Sequence, residues 1–373
     1  MGLHHEHGAS MEEPERCDLQ TAVQSPANHA TSTASPINAR LSRRPASEAH
    51  GDMMFMVGGW MQSDPSFLVE RFCPDVNEWR STAHVFNNRA GVAVAALEGR
   101  IYTAGGENNA QRYSSVESSQ RLDTAAPPQP FHSTFLWIYN GLGGRIRPSR
   151  YSPDSDCWST DVAPLSSPRS GVCLVAMDGY LYAAGGHDGF TAVNIVERYD
   201  PHTNEWSKQP PMLTRRSRAA AAVLQGHLYV IGGNDGENAL SSVERYDPLE
   251  GTWSVCSHML SPRESAGCAA YMGHIYVAGG KDELNLKLCS AERFDPCEMR
   301  WSSVKCMRSK RESVSLAVFN GVLLAIGGHD GDSDLKSIDI YDHETNSWRY
   351  FGSLKSKHPG GRVAVLRLNT TLI

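Results

Sequence analysis

Five arginines carry the clearest chemical signal in the sequence. Arg89, Arg169, Arg216, Arg263 and Arg311 each stand sixteen residues ahead of a Gly-Gly pair. A guanidinium offers a planar fork of donors, so a ring of them suits bidentate binding of carboxylates. Their equal phase leaves two readings open. The arginines grip an acidic ligand, or they pair with carboxylates or carbonyls of a neighbouring repeat. No arginine stands at the sixth equivalent place, around Gly360. Other chemistry-bearing side chains share the same phase. His187 and His329 directly follow Gly-Gly pairs, Asn234 and Lys281 take that place elsewhere, and Asp188, Asp235, Asp282 and Asp330 come next. The aspartates are turn residues by position. No metal-ligand cluster, paired-carboxylate cleft or nucleophile with its base stands out from this phasing, so no cofactor or metal is expected.

What must position these residues is a repeat. Gly-Gly pairs occur at Gly58-Gly59, Gly105-Gly106, Gly185-Gly186, Gly232-Gly233, Gly279-Gly280 and Gly327-Gly328. Each is followed by a tryptophan: Trp79, Trp158, Trp206, Trp253, Trp301 and Trp348. The separation is twenty or twenty-one residues, except for the fifty-two from Gly106 to Trp158. Within one unit, Gly171–Met177 reads as a small, apolar inner strand and Tyr180–Ala184 as a second strand ending in Gly-Gly. Residues 192–199 alternate as a half-buried third strand, Asp200-Pro201 opens a turn, and Trp206 begins an outer strand. The glycines read as positions with no room for a Cβ, and the tryptophans as packing between units. Four short strands in a period near 47 residues are the signature of propeller blades.

The order Gly-Gly, then Glu-Arg-Tyr-Asp-Pro, then Trp resembles the kelch repeat. The closest resemblance is to kelch-like proteins that select substrates for cullin-type ubiquitin ligases. Gly-Gly-His-Asp-Gly at 185–189 and 327–331, and Gly-Gly-Asn-Asp-Gly at 232–236, carry the likeness, which covers roughly residues 53–368. It implies an all-β, six-bladed propeller. In that family matching arginines line the mouth of the central channel and hold acidic groups of a degron, which implies partner binding by Arg89, Arg169, Arg216, Arg263 and Arg311. Family members also carry BTB and BACK domains ahead of the propeller, and those modules hold the cullin. Residues 1–52, rich in polar and small residues with prolines at 14, 26, 36 and 45, read as a disordered leader that forms neither domain. A link to cullin is therefore expected only of a form that carries BTB.

Closure follows from counting strands. The first unit opens directly on Met53-Met54-Phe55-Met56-Val57 and has no inner strand, while Gly361–Leu368 is an inner strand with no unit after it. The last strand is expected to complete the first blade, leaving 369–373 as a tail. The excess in the second unit is resolved by removing residues 118–149, which rejoins Ser-Ser-Val-Glu to Arg150-Tyr151. That stretch is either a bulky surface loop with an aromatic tip or translated non-coding sequence.

Bulk properties narrow the partners. The net charge of −6 and the absence of a long basic run argue against nucleic acid. No apolar run reaches membrane-spanning length. Nine cysteines without Cys-x-x-Cys spacing favour a reducing, cytoplasmic setting over a disulfide framework. The loops after each Gly-Gly differ freely on a fixed scaffold, so recognition is expected there. Trp60 and Phe190 are their large rings and candidate anchors, with His187, Asn234 and His329 beside them. The expected function is a non-enzymatic protein-interaction module that reads an acidic or polar degron. The alternatives are actin binding, a second family role, and a metal-dependent or small-molecule enzyme using the central channel.

Overall fold

The computed structural model describes residues 52–59, 69–82, 85, 89–108, 111–119 and 158–367. Among them every regular element is a strand. Blade 1 contains β1 (Met53–Val57), β2 (Val69–Cys73) and β3 (Glu78–Ser81). Blade 2 contains β4 (Ala93–Leu97), β5 (Arg100–Ala104), β6 (Val116–Ser119) and β7 (Trp158–Ser159). Blade 3 has β8 (Cys173–Met177), β9 (Tyr180–Ala184), β10 (Val196–Asp200) and β11 (Glu205–Gln209). Blade 4 has β12 (Ala220–Leu224), β13 (His227–Ile231), β14 (Val243–Asp247) and β15 (Thr252–Cys256). Blade 5 has β16 (Gly267–Tyr271), β17 (His274–Ala278), β18 (Ala291–Asp295) and β19 (Arg300–Val304). Blade 6 has β20 (Ser315–Phe319), β21 (Val322–Ile326), β22 (Ser337–Asp342) and β23 (Ser347–Ser353). The last strand, β24 (Arg362–Leu366), returns to blade 1.

The result is six four-stranded antiparallel sheets, and the first has the order β24-β1-β2-β3. Five cross-strand pairs, from Met53↔Leu366 to Val57↔Arg362, join the two ends of the ring. Pairing the inner strand from one terminus with the second strand from the other leaves no sheet edge open at the seam. The third strands start later than their alternation predicts. Residues 192–195 belong to a loop in which Ala192 bridges His187, and β10 begins at Val196.

The core consists of seams rather than one centre. Six clusters of buried apolar side chains lie between successive blades, such as Tyr229 and Ile231 of blade 4 against Phe294 and Trp301 of blade 5. Both faces of each sheet are covered, which is why second strands such as β9, β13 and β17 are buried at every position but the first. Rings cross the seams: Tyr182 meets Tyr246 at 6.1 Å and Tyr276 meets Tyr341 at 5.5 Å between centroids. Each such pair adds about 0.5–1.5 kcal/mol beyond its buried area. The tryptophans do more than pack. Nε1 of Trp206, Trp253, Trp301 and Trp348 donates to the carbonyl of Ala163, Pro210, Ser257 and Lys305, at 2.8–2.9 Å. Each outer strand is thereby tied to the linker through which its own blade is entered.

Gly185 and Gly186 show why the pairs exist. Both have positive φ, 65° and 109°, and a Cβ on Gly185 would run into the carbonyl oxygen of Arg216 in the next blade. That carbonyl instead accepts the Gly186 amide at 2.8 Å. The pair is a point where two backbones touch.

The expected limits of the insertion need correction at its start. Ser118 and Ser119 lie in β6 and pair with Ser159 and Trp158. These are the places that Arg198 and Tyr199 take opposite Ser207 and Trp206 in blade 3. Backbone pairing accepts the serines in place of Arg150-Tyr151, so the departure from the repeat begins after Ser119. Residues 120–149, together with Arg150, Tyr151, Trp60, the leader up to residue 51 and the tail, lie outside the described residues.

Candidate functional site

The five phased arginines are interior residues. Arg89, Arg169, Arg216, Arg263 and Arg311 are each at most 1% exposed. This corrects the expectation that they rim the channel and hold a ligand, because they are buried and both Nη groups of each are already engaged. Nη1 of each donates to the carbonyl of the first glycine of its own pair: Gly105, Gly185, Gly232, Gly279 and Gly327, at 2.7–2.9 Å. Nη2 meets a buried carboxylate on the third strand of the same blade. The pairs are Arg89–Glu117 at 2.6 Å, Arg169–Glu197, Arg216–Glu244 at 2.9 Å, Arg263–Glu292 at 2.6 Å and Arg311–Asp339 at 3.1 Å. Of the two readings open from sequence, pairing with carboxylates and carbonyls holds, but within the blade rather than across to the next. Burial pulls the guanidiniums of Arg89, Arg169 and Arg311 below their usual pKa, and the facing carboxylate pulls each back. Three of the carboxylates, Glu197, Glu244 and Glu292, are also shared with linker amides. Glu244 also accepts the amides of Leu213 at 2.6 Å and Thr214 at 3.0 Å, where the chain crosses between blades.

The sixth equivalent is a histidine. Each arginine precedes its inner strand by four residues, and four residues before β24 stands His358. Its Nδ1 lies 2.8 Å from the carbonyl oxygen of Gly58, the first glycine of blade 1, and Nε2 lies 3.4 Å from Oε1 of Glu70. Glu70 also accepts the Lys355 amide at 3.0 Å. At the closing blade an imidazole therefore does the work that a guanidinium does elsewhere. The signal was in the sequence, as a fixed distance to the inner strand, although the residue type changes.

Removing the arginines from the surface leaves the loops between second and third strands, together with the linkers between blades, as the face available to a partner. An aspartate shapes the loops of blades 3 to 6. Oδ1 of Asp188 accepts the amides of Phe190 and Thr191, Asp235 those of Glu237 and Asn238, Asp282 those of Leu284 and Leu286, and Asp330 those of Asp332 and Ser333. The residue before each aspartate points its polar atoms into the same turn. Nδ1 of His187 accepts the Gly189 amide at 3.1 Å and Nδ1 of His329 the Gly331 amide at 3.0 Å, which leaves Nε2–H as the donor of each ring. Oδ1 of Asn234 accepts the Gly236 amide at 2.8 Å, leaving its NH2 group. Lys281 holds the fourth such place, 2.9 Å from Glu264. Four of the equivalent loop positions therefore present N–H donors. Sequence reasoning missed the charges around them: Arg112 pairs with Glu107 at 3.0 Å, and Lys287 with Glu312. Phe190 is 95% exposed at its loop tip, as a candidate anchor must be.

The central channel is lined mainly by small and aliphatic residues, with backbone polar atoms between them. A cavity of about 520 Å³ runs between the inner strands, past Ala95, Ala222, Ala269, Ala317 and Ala364. Toward the loop face it narrows to about 170 Å³ beside Cys173, Cys268 and Arg362. Burial pushes both thiols up to about 12, and they donate to the carbonyls of Ala219 and Ala221. They behave as the small buried hydrophobes expected of inner strands. Among the described residues, no group of three or more His, Cys, Asp or Glu side chains is placed to hold a metal ion.

Comparison with known proteins agrees with this architecture. The profile of the KLHDC2/KLHL20/DRC7 Kelch-repeats domain matches residues 44–280 and, overlapping, 171–366. Human Kelch-like protein 4 is 49% identical over 63 residues, which cover 17% of this chain and 9% of that protein. Bovine Kelch-like protein 36 is 30% identical over 191 residues, 44% of this chain and 31% of the relative. Human Kelch-like protein 23 is 26% identical over 171 residues, 42% and 30% respectively. The matches thus span under a third of each of these relatives. The solved structure of YjhT superposes with a TM-score of 0.64 over 81% of this chain and 95% of its own, at 14% identity, a likeness of fold alone. Six blades latched by a C-terminal strand, and a profile matching nearly the whole ring, place the chain in the Kelch-repeat propellers of the KLHDC2/KLHL20/DRC7 family.

Proposed function

We propose that the chain is a protein-interaction module whose loop face captures an acidic or polar segment of another protein, in the cytoplasm. We propose further that this capture selects substrates for a cullin-type ubiquitin ligase. The observation that carries the first part is the set of N–H donors at equivalent places just past the Gly-Gly pairs, on His187, Asn234, Lys281 and His329. The donors of His187, Asn234 and His329 favour a ligand rich in carbonyl and carboxylate oxygen, while that of Lys281 is already paired with Glu264. Phe190 adds an exposed apolar anchor to the rim of that face. The kelch-like relatives support the second part by family likeness, which is an analogy of fold and sequence rather than of site.

The test is affinity capture with quantitative mass spectrometry, comparing the parent chain with Phe190→Ala and with the triple variant His187→Ala, Asn234→Ala, His329→Ala. Phe190→Ala should melt within about 1 °C of the parent, since exposed substitutions rarely cost more than about 0.5 kcal/mol. The triple variant, which gives up three acceptors of turn amides, is compared at a temperature where its circular dichroism matches the parent. Both should lose the same specific partners. Capture unchanged in both variants would overturn the loop-face reading. Partners whose ubiquitination does not respond to raised or lowered levels of the chain would overturn the ligase link and leave the binding module standing.

A further inference from the structure

Blade 5 carries two thiols that its sheet brings together. The ladder between β18 and β19 ends at Ala291↔Val304. Beyond it the register shifts by one, since the amide of Met307 rather than that of Cys306 donates to the carbonyl of Cys289 at 2.8 Å. Cys289 and Cys306 are therefore neighbours across an irregularity in the ladder, and their thiols are in hydrogen-bond contact. Adjacent strands of one sheet lie about 4.7–4.9 Å apart. A disulfide accepts Cα atoms about 4.4–6.8 Å apart.

The proximity belongs to the blade, while the thiols belong to this one. In blade 4 the equivalent residues are Ser241 and His258, whose side chains approach to 3.4 Å, and the Met259 amide donates to Ser241 with the same one-residue shift as Met307 to Cys289. In blade 3 the pair is Asn194 and Pro211. Cys306 is exposed and Cys289 partly so, whereas Cys173 is sealed in the channel wall. Burial first, and then the neighbouring thiol, push the Cys289 thiol up, so the exposed Cys306 meets an oxidant first.

We propose that Cys289 and Cys306 are a peroxide-responsive dithiol that closes reversibly to a disulfide on the loop face. In the first step the Cys306 sulfur attacks hydrogen peroxide. The O–O bond breaks, an S–O bond forms, and sulfenic acid and one water result. In the second step the Cys289 sulfur attacks that sulfur. The S–S bond forms, the S–O bond breaks, and the departing hydroxide leaves as water with the Cys289 proton. Two thiols have given two electrons to one peroxide, and a dithiol reductant reverses the change by exchange. The bond would fasten the root of the 281–288 loop to the linker entering blade 6, a linker already held to that root by the Arg311 amide on the Leu288 carbonyl at 2.9 Å. The dithiol chemistry stands apart from the proposed function. Only its effect on partner binding rests on that reading.

The experiment treats the full chain with hydrogen peroxide under native conditions, alkylates the remaining thiols, and maps peptides by mass spectrometry. The expected product is a Cys289–Cys306 cross-linked peptide, two hydrogens lighter than the reduced pair, restored by dithiothreitol. It should be absent from Cys289→Ser and from Cys306→Ser, while the solitary, exposed Cys297 forms no link to either residue. Hydrogen exchange across residues 281–288 should slow at least twofold in the oxidised form. Phenylarsine oxide, which needs two adjacent thiols, should bind the reduced parent and neither serine variant. Oxidation of Cys306 to sulfinic acid without the link, or a link formed only in denatured protein, would overturn the proposal. If the link forms but captured partners are the same in both states, the effect on binding falls and the dithiol remains. If neither state captures a partner, it is the binding reading that has failed.

Discussion

Replacing Arg216 by methionine should unfold the propeller at a markedly lower temperature without touching any residue a partner sees. Five hydrogen bonds leave with the guanidinium: to the carbonyls of Gly232 and Ser242, to Ser242 Oγ, and from Nε and Nη2 to Glu244. Glu244, 1% exposed, then keeps a buried charge whose remaining partners are two linker amides. Breaking a buried pair from one side costs about 3–5 kcal/mol. At about 2 °C per kcal/mol, suited to a domain at or above 250 residues, the midpoint should fall by about 6–10 °C. Arg216→Lys should fall in between, since an ammonium keeps the charge but cannot span carbonyl and carboxylate with one plane. Thermal unfolding followed by far-ultraviolet circular dichroism reads the change, and partner capture at low temperature runs beside it. A methionine variant that melts within about 2 °C of the parent and yet captures nothing would refute this account. It would return the arginine to the role of ligand contact.

Three further outcomes follow. Deleting residues 359–373 removes β24 and its five pairs with β1, so the whole ring should lose cooperative unfolding, and an unchanged melting curve would sink the closure argument. Gly185→Ala should cost at least about 1–3 kcal/mol in urea denaturation, because the added Cβ meets the Arg216 carbonyl at a positive φ; a loss under about 0.5 kcal/mol would show that the seam yields. The third concerns acid. Burial raises the Glu70 carboxyl, but hydrogen bonds and charge from His358, with Ser356 and the Lys355 amide, more than offset it and hold the group below 4.5. A depressed folded pKa stabilises fully above that ordinary value and ceases to do so as pH falls through the lowered one. The parent should therefore lose stability on acidification below about pH 4.5 more steeply than His358→Ala, read as urea midpoints against pH. Parallel curves would show that His358 does not set the carboxylate.

Much of this architecture was legible because it rests on backbone needs that only certain residues meet. Glycines such as Gly185 mark contacts where a Cβ has no room, and Trp206, Trp253, Trp301 and Trp348 mark a ring that both packs and donates. The latch was legible because an unmatched inner strand needs a partner. The site was less so. Equal spacing of Arg216 and its equivalents showed that they act alike, but a sequence carries no measure of depth, and the same phase serves a rim or an interior. The matching run of carboxylates, Glu117, Glu197, Glu244, Glu292 and Asp339, stood in the third strands and would have decided the matter had it been paired with the arginines by number. His358 escaped because it was sought by residue type. The Cys289–Cys306 contact needed a register that no periodicity supplies.

Each bracket arginine belongs to two sheets at once: its side chain clasps its own blade, while its carbonyl receives the second glycine of the blade before. A linear array of repeats can fray from either end, because its terminal units lean on one neighbour only. Here five such bonds join the blades from the first to the sixth, and the β24–β1 ladder ties the two ends of the row together. Damage to one blade is consequently shared by the rest, so the ring should survive small injuries whole and fail, when it fails, all at once.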